Sequence, residues 1–272
     1  MTDYTQLTGE DLWMRLNQET GRARAEVLAE LGERAFRTGD YGQARTLLKE
    51  AVMAAEQVGD RQLVAEVLHS LGAAAFNAGD ALASVRAYRR AGLILREIGI
   101  AGAAAQAAMR QADAHRDLGS LEDCLEAARE ASELAESIND FTVAGEAHHL
   151  QASVLLKLGR DEEALDACDA ASTHFWQADC PSQVLCVGDI AITSHLRLRQ
   201  WDNALHVARE CLALAHSSEA DTSWTRYRVA EVLHLGGRHS EALEEAEAAH
   251  RHYCQRDDLG GAAQSQRLRG EA

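Results

Sequence analysis

Gly39-Asp40-Tyr41 lies between two amphipathic segments, and comparable tripeptides return along the chain at a spacing of 40 residues. They are Gly79-Asp80-Ala81, Gly119-Ser120-Leu121, Gly159-Arg160-Asp161 and Arg199-Gln200-Trp201, and Gly237-Arg238-His239 follows two residues early. Regular recurrence in this range is typical of a stacked repeat array. The sequence therefore predicts a repeat protein, and a binding scaffold rather than an enzyme.

The residues around Gly39 indicate how one such unit folds. Leu28, Leu31 and Phe36 follow the spacing of the apolar face of an amphipathic helix. Gly39 predicts the end of that helix, because glycine adopts the left-handed conformation without a Cβ clash. Asp40 is expected to cap the next helix, since its carboxylate can accept from the free N–H groups of the first turn. The apolar stripe of this second helix is Ala44, Leu47, Leu48 and Ala51.

Small residues recur in register when the units are aligned on the 40-residue spacing. One column of the first helix contains Gly32, Gly72, Ala112, Ala152, Ile192 and Ala230. Two columns of the second helix contain Ala44, Ser84, Cys124, Ala164, Ala204 and Ala242, and Ala51, Ala91, Ala131, Ala171, Cys211 and Ala249. Small side chains are needed where helix backbones approach closely, so the columns predict tightly paired helices.

These columns, with the large apolar residues Leu28, Leu31, Leu48, Leu68, Leu71 and Tyr88, resemble tetratricopeptide (TPR) repeats. The resemblance covers about 25–249, or six units. The tight Gly-Asp turn and the alanine columns favour TPR units over HEAT or armadillo units of similar length. The usual TPR unit has about 34 residues. We therefore expect the chain to be a 40-residue variant, with longer helices or longer turns around 57–63 and 98–102.

The resemblance implies an all-α fold, a right-handed superhelical solenoid of antiparallel helix hairpins. The predicted organisation is an N-terminal capping helix and turn at 1–24, repeats at about 25–60, 65–100, 105–140, 145–180, 185–220 and 223–256, and a C-terminal capping helix at 257–272. Thr8 is expected to cap a short helix from Gly9 to Glu19, with Trp13 and Leu16 covering the apolar edge of the first hairpin.

Composition restricts the partners and the compartment. The net charge of -16 disfavours nucleic acid and anionic membranes, and mildly favours basic partners. No signal-peptide pattern and no long apolar stretch is evident. The six cysteines form no CxxC pair, which disfavours a zinc site or a redox dithiol. We expect a cytoplasmic protein with reduced thiols, and the preference for arginine over lysine, together with abundant alanine, suggests a bacterial source.

In the TPR family, a fixed set of positions on each first helix lines the concave groove. The corresponding residues here are Glu26, Glu33, Phe36, Glu66, His69, Phe76, Met109, Asp113, Arg116, Glu146, His149, Leu156, Asp189, Trp224 and Tyr227. Apolar side chains beside carboxylates suit a peptide with apolar anchors and basic groups. Ala29 and Glu33 replace the Lys/Asn pair with which chaperone-binding TPRs hold a C-terminal carboxylate, so we expect a different partner.

No motif for catalysis, a cofactor or a metal is found. The chain lacks GxSxG, P-loop, dinucleotide-binding and HExxH patterns. His250 and Cys254 share one helix face, and His234 and His239 are close in sequence, but no cluster has metal-ligand spacing. We expect no enzyme activity, no cofactor and no metal site.

Three functions remain open at this stage. The first is a non-catalytic adaptor that binds a peptide or protein in the groove, with Phe36, Phe76, Met109 and Leu156 as anchors and Glu26, Glu66, Asp113 and Glu146 selecting basic groups. The second is a sensor, in which a small ligand or signalling peptide changes the array and so regulates a partner in trans. The third is self-association. The sequence leaves the partner and the oligomeric state undetermined.

Overall fold

The structure is a computed structural model that describes residues 4–218 and 220–271, in which the only regular secondary structure is helical. Met1–Asp3, Glu219 and Ala272, which the predicted domains include, lie outside the described residues. A 3-10 helix at Tyr4–Gln6 precedes α1. The α-helices are α1 Gly9–Leu16, α2 Gly21–Arg37, α3 Tyr41–Val58, α4 Arg61–Asn77, α5 Ala81–Glu97, α6 Ala101–Asp117, α7 Leu121–Ser137, α8 Phe141–Leu158, α9 Asp161–Gln177, α10 Pro181–Arg197, α11 Trp201–Ser217, α12 Ser223–Leu235, α13 His239–Gln255 and α14 Leu259–Glu271.

The chain divides into two compact units, an N-terminal unit Met1–Ala147 and a C-terminal unit His148–Ala272. The division falls within α8. In each unit the hairpins consist of a first helix and a second helix, the first helices being α2, α4, α6, α8, α10 and α12 and the second helices α3, α5, α7, α9, α11 and α13. In the N-terminal unit, each helix from α2 to α6 packs against the next along the chain, and in the C-terminal unit the same holds from α9 to α13.

The turn at Gly39 closes one helix and opens the next with the same few residues. Gly39 has φ 83°, and the N–H of Asp40 donates to the carbonyl of Ala35 at 2.9 Å, as in a Schellman motif. The Asp40 carboxylate accepts from the N–H of Gln43 at 2.9 Å. The structure thus confirms both the glycine stop and the aspartate cap.

The turns between hairpins have the same geometry as the turns within them. Gly59 and Gly99 have φ 74° and 78°, and Asp60 accepts from the N–H of Leu63 at 3.0 Å. Non-glycine residues adopt the same left-handed conformation at Asn139, Asp179, Arg199 and Asp257. The sequence left open whether longer helices or longer inter-hairpin turns contain the extra residues. The structure shows long helices, of 17 residues in α2, α4, α5 and α6, and short turns.

The small-residue columns lie where helices touch, as predicted. A Cβ added to Gly32 would come within 2.7 Å of Leu48, and one added to Gly72 within 2.9 Å of the Tyr88 ring. Ala112 and Ala152 are fully buried. Glycine is present in the first two units because a large side chain lies opposite.

The N-terminal cap differs in part from the expectation. Thr8 and Asp11 form a reciprocal capping box, which confirms the predicted N-cap. The helix ends at Leu16 rather than Glu19, and Leu12 and Leu16 are buried whereas Trp13 is 46% exposed. Trp13 therefore does not cover the first hairpin, because Leu12 is the residue that points inward. Across the described ranges, no helix combines the length and the apolar content needed to cross a membrane.

Candidate functional site

The predicted groove residues of the N-terminal unit lie on α2, α4, α6 and the start of α8, at positions that share one side of each helix and are here called the first-helix face. These residues are Glu26, Glu33, Phe36, Glu66, His69, Phe76, Met109, Asp113, Arg116 and Glu146, and every one is half-buried or exposed. Neighbouring first helices meet along this face, because the Ser70 hydroxyl of α4 donates to the Glu33 carboxylate of α2 at 3.2 Å.

A pocket of about 260 Å³ opens beside Phe76 on this face. Its lining comes from three consecutive helices: Ala73, Phe76 and Asn77 of α4, Tyr88 of α5, and Arg110 and Asp113 of α6. Phe76 and Asp113 were predicted from the sequence, whereas Tyr88 and Arg110 were not assigned to the groove. The pocket therefore combines two aromatic rings with an ion pair at its edge.

Two titratable groups near the pocket have shifted pKa values that keep them uncharged near neutral pH. Burial raises the pKa of Tyr88 to about 12, so its phenol stays protonated. Burial, and then the nearby Arg110 guanidinium, lower the pKa of His69, so its imidazole stays neutral. The two rings meet edge to face, with centroids 5.1 Å apart. Both groups act as packing surfaces rather than as charges.

The carboxylates of the first-helix face divide into paired and unpaired groups. Asp113 lies 2.9 Å from Arg116 and 3.3 Å from Arg110, and Glu26 lies 2.8 Å from Arg22. Glu66 accepts a hydrogen bond from Gln62 at 2.9 Å, and Glu33 accepts the one from Ser70. Within the described part of the chain, no Arg or Lys forms an ion pair with Glu33, Glu66 or Glu146. These three carboxylates are the ones that can meet an incoming cation.

The apolar side chains expected to act as anchors are half-buried. Phe36 packs against Tyr41 with ring centroids 5.5 Å apart, and Met109 packs against the core around Ala108. Each side chain therefore presents only part of its surface on this face. Phe76 differs because it borders the pocket.

In the C-terminal unit, Arg228 of α12 contacts the predicted residue Asp189 and two further polar residues, Thr193 and Glu231. Its Nε lies 2.8 Å from the Asp189 carboxylate, its Nη2 donates to the Thr193 hydroxyl at 2.8 Å, and its Nη1 pairs with Glu231. The guanidinium lies 5.9 Å from the centroid of the Trp224 ring. Sequence reasoning missed Arg228. The sequence does contain a signal for this contact, because Arg228 and Asp189 are about one repeat apart and therefore lie on neighbouring first helices.

Tyr227 does not line a groove, which corrects its assignment. It is buried in a cluster with Tyr253, Ala262 and Leu268, since α14 packs against α12. Burial accordingly raises its pKa. The neighbouring Trp224 stays 43% exposed and stacks on Tyr227 with ring centroids 5.5 Å apart.

The other two predicted residues of this unit lie on α8. His149 meets Phe175 edge to face, with centroids 6.5 Å apart. Leu156 is half-buried, and its carbonyl accepts from Arg197 at 2.6 Å. Neither residue lies among the contacts of Arg228, so the predicted residues of this unit do not form one cluster.

No protein-family model and no curated protein sequence matches this chain. Solved structures do match. A signal transduction ATPase with numerous domains that has a tetratricopeptide repeat sensor, from Pyrococcus horikoshii, is 14% identical with a TM-score of 0.75, over 95% of this chain and 41% of that one. The chain thus spans less than half of that protein. The apo form of RapI is 15% identical with a TM-score of 0.71, over 96% of this chain and 78% of RapI.

A Rap protein complexed with Competence and Sporulation Factor is 17% identical with a TM-score of 0.51, over 96% of this chain and 78% of that one. At these identities the likeness concerns the fold. With the helix-only structure of the described residues, it confirms the predicted all-α, TPR-like solenoid fold class.

Proposed function

We propose that the chain is a non-catalytic TPR scaffold with a 40-residue unit, which binds a peptide or protein segment on its first-helix face. The observation that carries this proposal is the Phe76 pocket, which lies on the same face as the unpaired carboxylates of Glu33, Glu66 and Glu146. An apolar anchor would enter the pocket, and a flanking basic side chain would meet Glu33 or Glu66.

The ion pairs refine which acids select the basic group. Asp113 and Glu26 already have arginine partners, so a new cation would have to displace Arg110 and Arg116, or Arg22. Glu33 and Glu66 need no such exchange. We therefore assign selection of basic groups to Glu33, Glu66 and Glu146, and a structural role to Asp113.

The comparisons support a binding role in general terms. One similar structure contains a TPR sensor, and another was solved as a complex with Competence and Sporulation Factor. We further propose that the partner is a protein or peptide, and that the chain is a bacterial, cytoplasmic protein that binds neither nucleic acid nor membranes.

The test is selection from a phage-displayed library of random peptides, followed by titration of the selected peptide. We expect enrichment of peptides with an apolar residue next to Arg or Lys. The variant Phe76→Ala/Glu66→Arg should bind the selected peptide about tenfold more weakly or worse, because it loses an apolar contact and reverses one charge.

The control is Leu82→Ala/Glu133→Arg, which likewise truncates an apolar side chain and reverses one glutamate charge, at exposed positions of α5 and α7. This control should bind like the wild type, and both variants should keep the helical circular dichroism spectrum. Equal affinity of the Phe76 variant and the wild type, or no enrichment from the library, would overturn the proposal.

A sensor that acts in trans is the second candidate, favoured by the TPR sensor in the similar ATPase. In that case the selected peptide should change the hydrodynamic radius of the protein, whereas an adaptor would keep its radius apart from the added mass. Light scattering over a range of protein concentrations tests the third function, self-association, by showing whether mass increases with concentration.

A further inference from the structure

In the N-terminal unit, ion pairs link successive second helices at equivalent positions. Glu56 of α3 pairs with Arg90 of α5, and Arg96 of α5 pairs with Glu130 of α7. Glu56 and Arg96 are 40 residues apart, and so are Arg90 and Glu130. The sign of the charges is reversed between the two pairs, but each gap between second helices contains one guanidinium and one carboxylate.

The C-terminal unit breaks this rule between α9 and α11. The equivalent positions are occupied by Trp176 and Glu210. Trp176 is 55% exposed. Glu210 contacts His206 of its own helix at 3.3 Å, and among the described residues no Arg or Lys pairs with it. The carboxylate therefore remains, but the guanidinium that would match it is missing.

A cleft of about 310 Å³ lies at this place, here called the α9–α11 cleft. Its floor is the α10 backbone at Gly188, and its apolar walls include Val187, Val207 and Leu214. Glycine is required at the floor, because an added Cβ would come within 2.3 Å of the Cys211 sulfur. Asp169 and Glu210 lie at the rim, near the exposed indole of Trp176.

The two thiols in the cleft are part of its apolar surface. Burial raises the pKa of Cys168 to about 12 and that of Cys211 to about 11, so both stay protonated at neutral pH. The Cys168 thiol donates to the Val187 carbonyl at 3.7 Å. A thiol in this state behaves as a small apolar group, not as a nucleophile.

The chemistry of the cleft selects one kind of occupant. Anions are excluded by Asp169 and Glu210. A wholly apolar group would remove water from a carboxylate without giving it a partner, which is costly. A guanidinium on an aliphatic stem matches the apolar wall, the Trp176 ring and the Glu210 carboxylate. The stem covers the wall, and the planar cation can lie on the ring and pair with the carboxylate.

We infer that the α9–α11 cleft is a second binding site, separate from the first-helix face, and that it receives an arginine side chain of a partner protein. The internal pairs Glu56–Arg90 and Arg96–Glu130 show the same contact made within the chain. The inference does not depend on the proposed peptide site on α2, α4 and α6, because the cleft lies wholly between residues 168 and 214.

The test uses the blocked tripeptide acetyl-Leu-Arg-Leu-amide as a probe for the full chain. The matched control is the same peptide with citrulline in place of arginine, which keeps the shape but removes the charge. Binding is followed by the indole N–H resonance of Trp176, assigned by its loss in Trp176→Phe. We expect the arginine peptide to shift this resonance at millimolar concentration and to bind about tenfold more tightly than the citrulline peptide.

Two variants separate the cleft from general attraction by an acidic protein. Glu210→Gln should remove the preference for arginine over citrulline, whereas Glu130→Gln, which breaks a bridge in the N-terminal unit, should leave it unchanged. Trp176→Arg should restore the internal bridge to Glu210 and abolish binding; here amide resonances of Val207 and Leu214 replace the indole signal.

Several results would overturn the inference. These are equal binding of the arginine and citrulline peptides, no shift of the Trp176 indole at millimolar peptide, or undiminished binding by Trp176→Arg. If the cleft fails these tests while Phe76→Ala/Glu66→Arg still weakens the library-selected peptide, the first-helix face alone is the binding site.

Discussion

The gap between α5 and α7 and the gap between α9 and α11 are built on the same repeat and each holds a cleft, of about 340 Å³ and about 310 Å³, but in the described ranges an ion pair bridges only the first. In the first, Arg96 crosses to Glu130. In the second, Trp176 stands exposed and Glu210 has no arginine partner among the described residues. The helices have equal lengths, so the gaps differ in their side chains: Trp176 stands in place of Arg96, and Asp169 in place of Arg89. A repeat array can thus keep its backbone and still change the charge and the chemistry of a cleft through its side chains.

The largest expected effect separates two adjacent residues of α9. Phe175 is 1% exposed, whereas Trp176 is 55% exposed. Phe175→Ala should lower the free energy of unfolding by about 3–5 kcal/mol, because it leaves a cavity in the core of the C-terminal unit. Trp176→Ala should change it by less than about 0.5 kcal/mol. Urea denaturation of both variants measures the difference, and similar losses would mean that Trp176 is structural.

The next effect concerns the floor of the α9–α11 cleft. Gly188→Ala should destabilise the protein by about 1–3 kcal/mol, since the new methyl group would overlap the Cys211 sulfur. Cys211→Ala in the same chain should recover most of this loss, because it removes the overlapping atom. A thermal melt of the two single variants and the double variant tests this coupling. Additive effects would show that the backbone moves apart instead.

Alkaline pH should weaken the fold through the thiols of the cleft. The ordinary pKa of a thiol is 9.0, while the folded values are about 12 for Cys168 and about 11 for Cys211. Above about pH 9 the unfolded chain loses these protons and the folded chain retains them, so stability falls as pH rises toward 11. The free energy of unfolding should therefore depend on pH in the same way for wild type and Cys168→Ala/Cys211→Ala below about pH 9. Above that pH, it should fall more steeply for the wild type, which denaturation curves at a series of pH values measure.

Alkylation provides a second measurement of the same property. Near pH 8, iodoacetamide should modify Cys186 and Cys254, which are exposed, and spare Cys168 and Cys211, which are buried. Peptide mass spectrometry identifies the modified thiols. Rapid modification of Cys211 in the folded protein would contradict the burial of this thiol.

The smallest effect comes from transferring the arrangement of the α9–α11 gap, an indole beside a glutamate, to the gap between α5 and α7. Arg96→Trp places an indole opposite Glu130, as Trp176 is placed relative to Glu210. Because an exposed ion pair contributes little, the free energy of unfolding should change by about 1 kcal/mol or less. The arginine tripeptide should then gain a weak second site in the N-terminal unit. A large loss of stability would show that the bridge, rather than the core, holds α5 to α7.

The fold was predictable because its signals are local. Gly39 and Asp40 specify the end of one helix and the start of another through bonds that span only a few residues. The columns of small residues then indicate which faces touch. The turn is kept even where Arg199 replaces the glycine, because the arginine adopts the same left-handed conformation.

The candidate sites were only partly predictable because they depend on contacts between helices. Arg228 reaches Thr193 across 35 positions in the sequence, and periodicity alone does not indicate which side chain of a face will turn toward its neighbour. Tyr227 was assigned to the groove by its position in the repeat, but α14 covers it. The α9–α11 cleft was not predicted, because the missing arginine opposite Glu210 is evident only when Trp176 and Glu210 are compared with the equivalent ion pair of Arg96 and Glu130.

The uniform turns have a consequence for how the chain reaches its fold. Since each helix from α2 to α6 and from α9 to α13 packs on the next along the chain, cross-helix contacts such as Arg96–Glu130 and Arg45–Asp80 join residues only 34 and 35 positions apart. Such low contact order costs little loop-closure entropy before native contacts form. Folding can therefore begin at any hairpin and extend to its neighbours, and the slowest step need not be the same in every molecule.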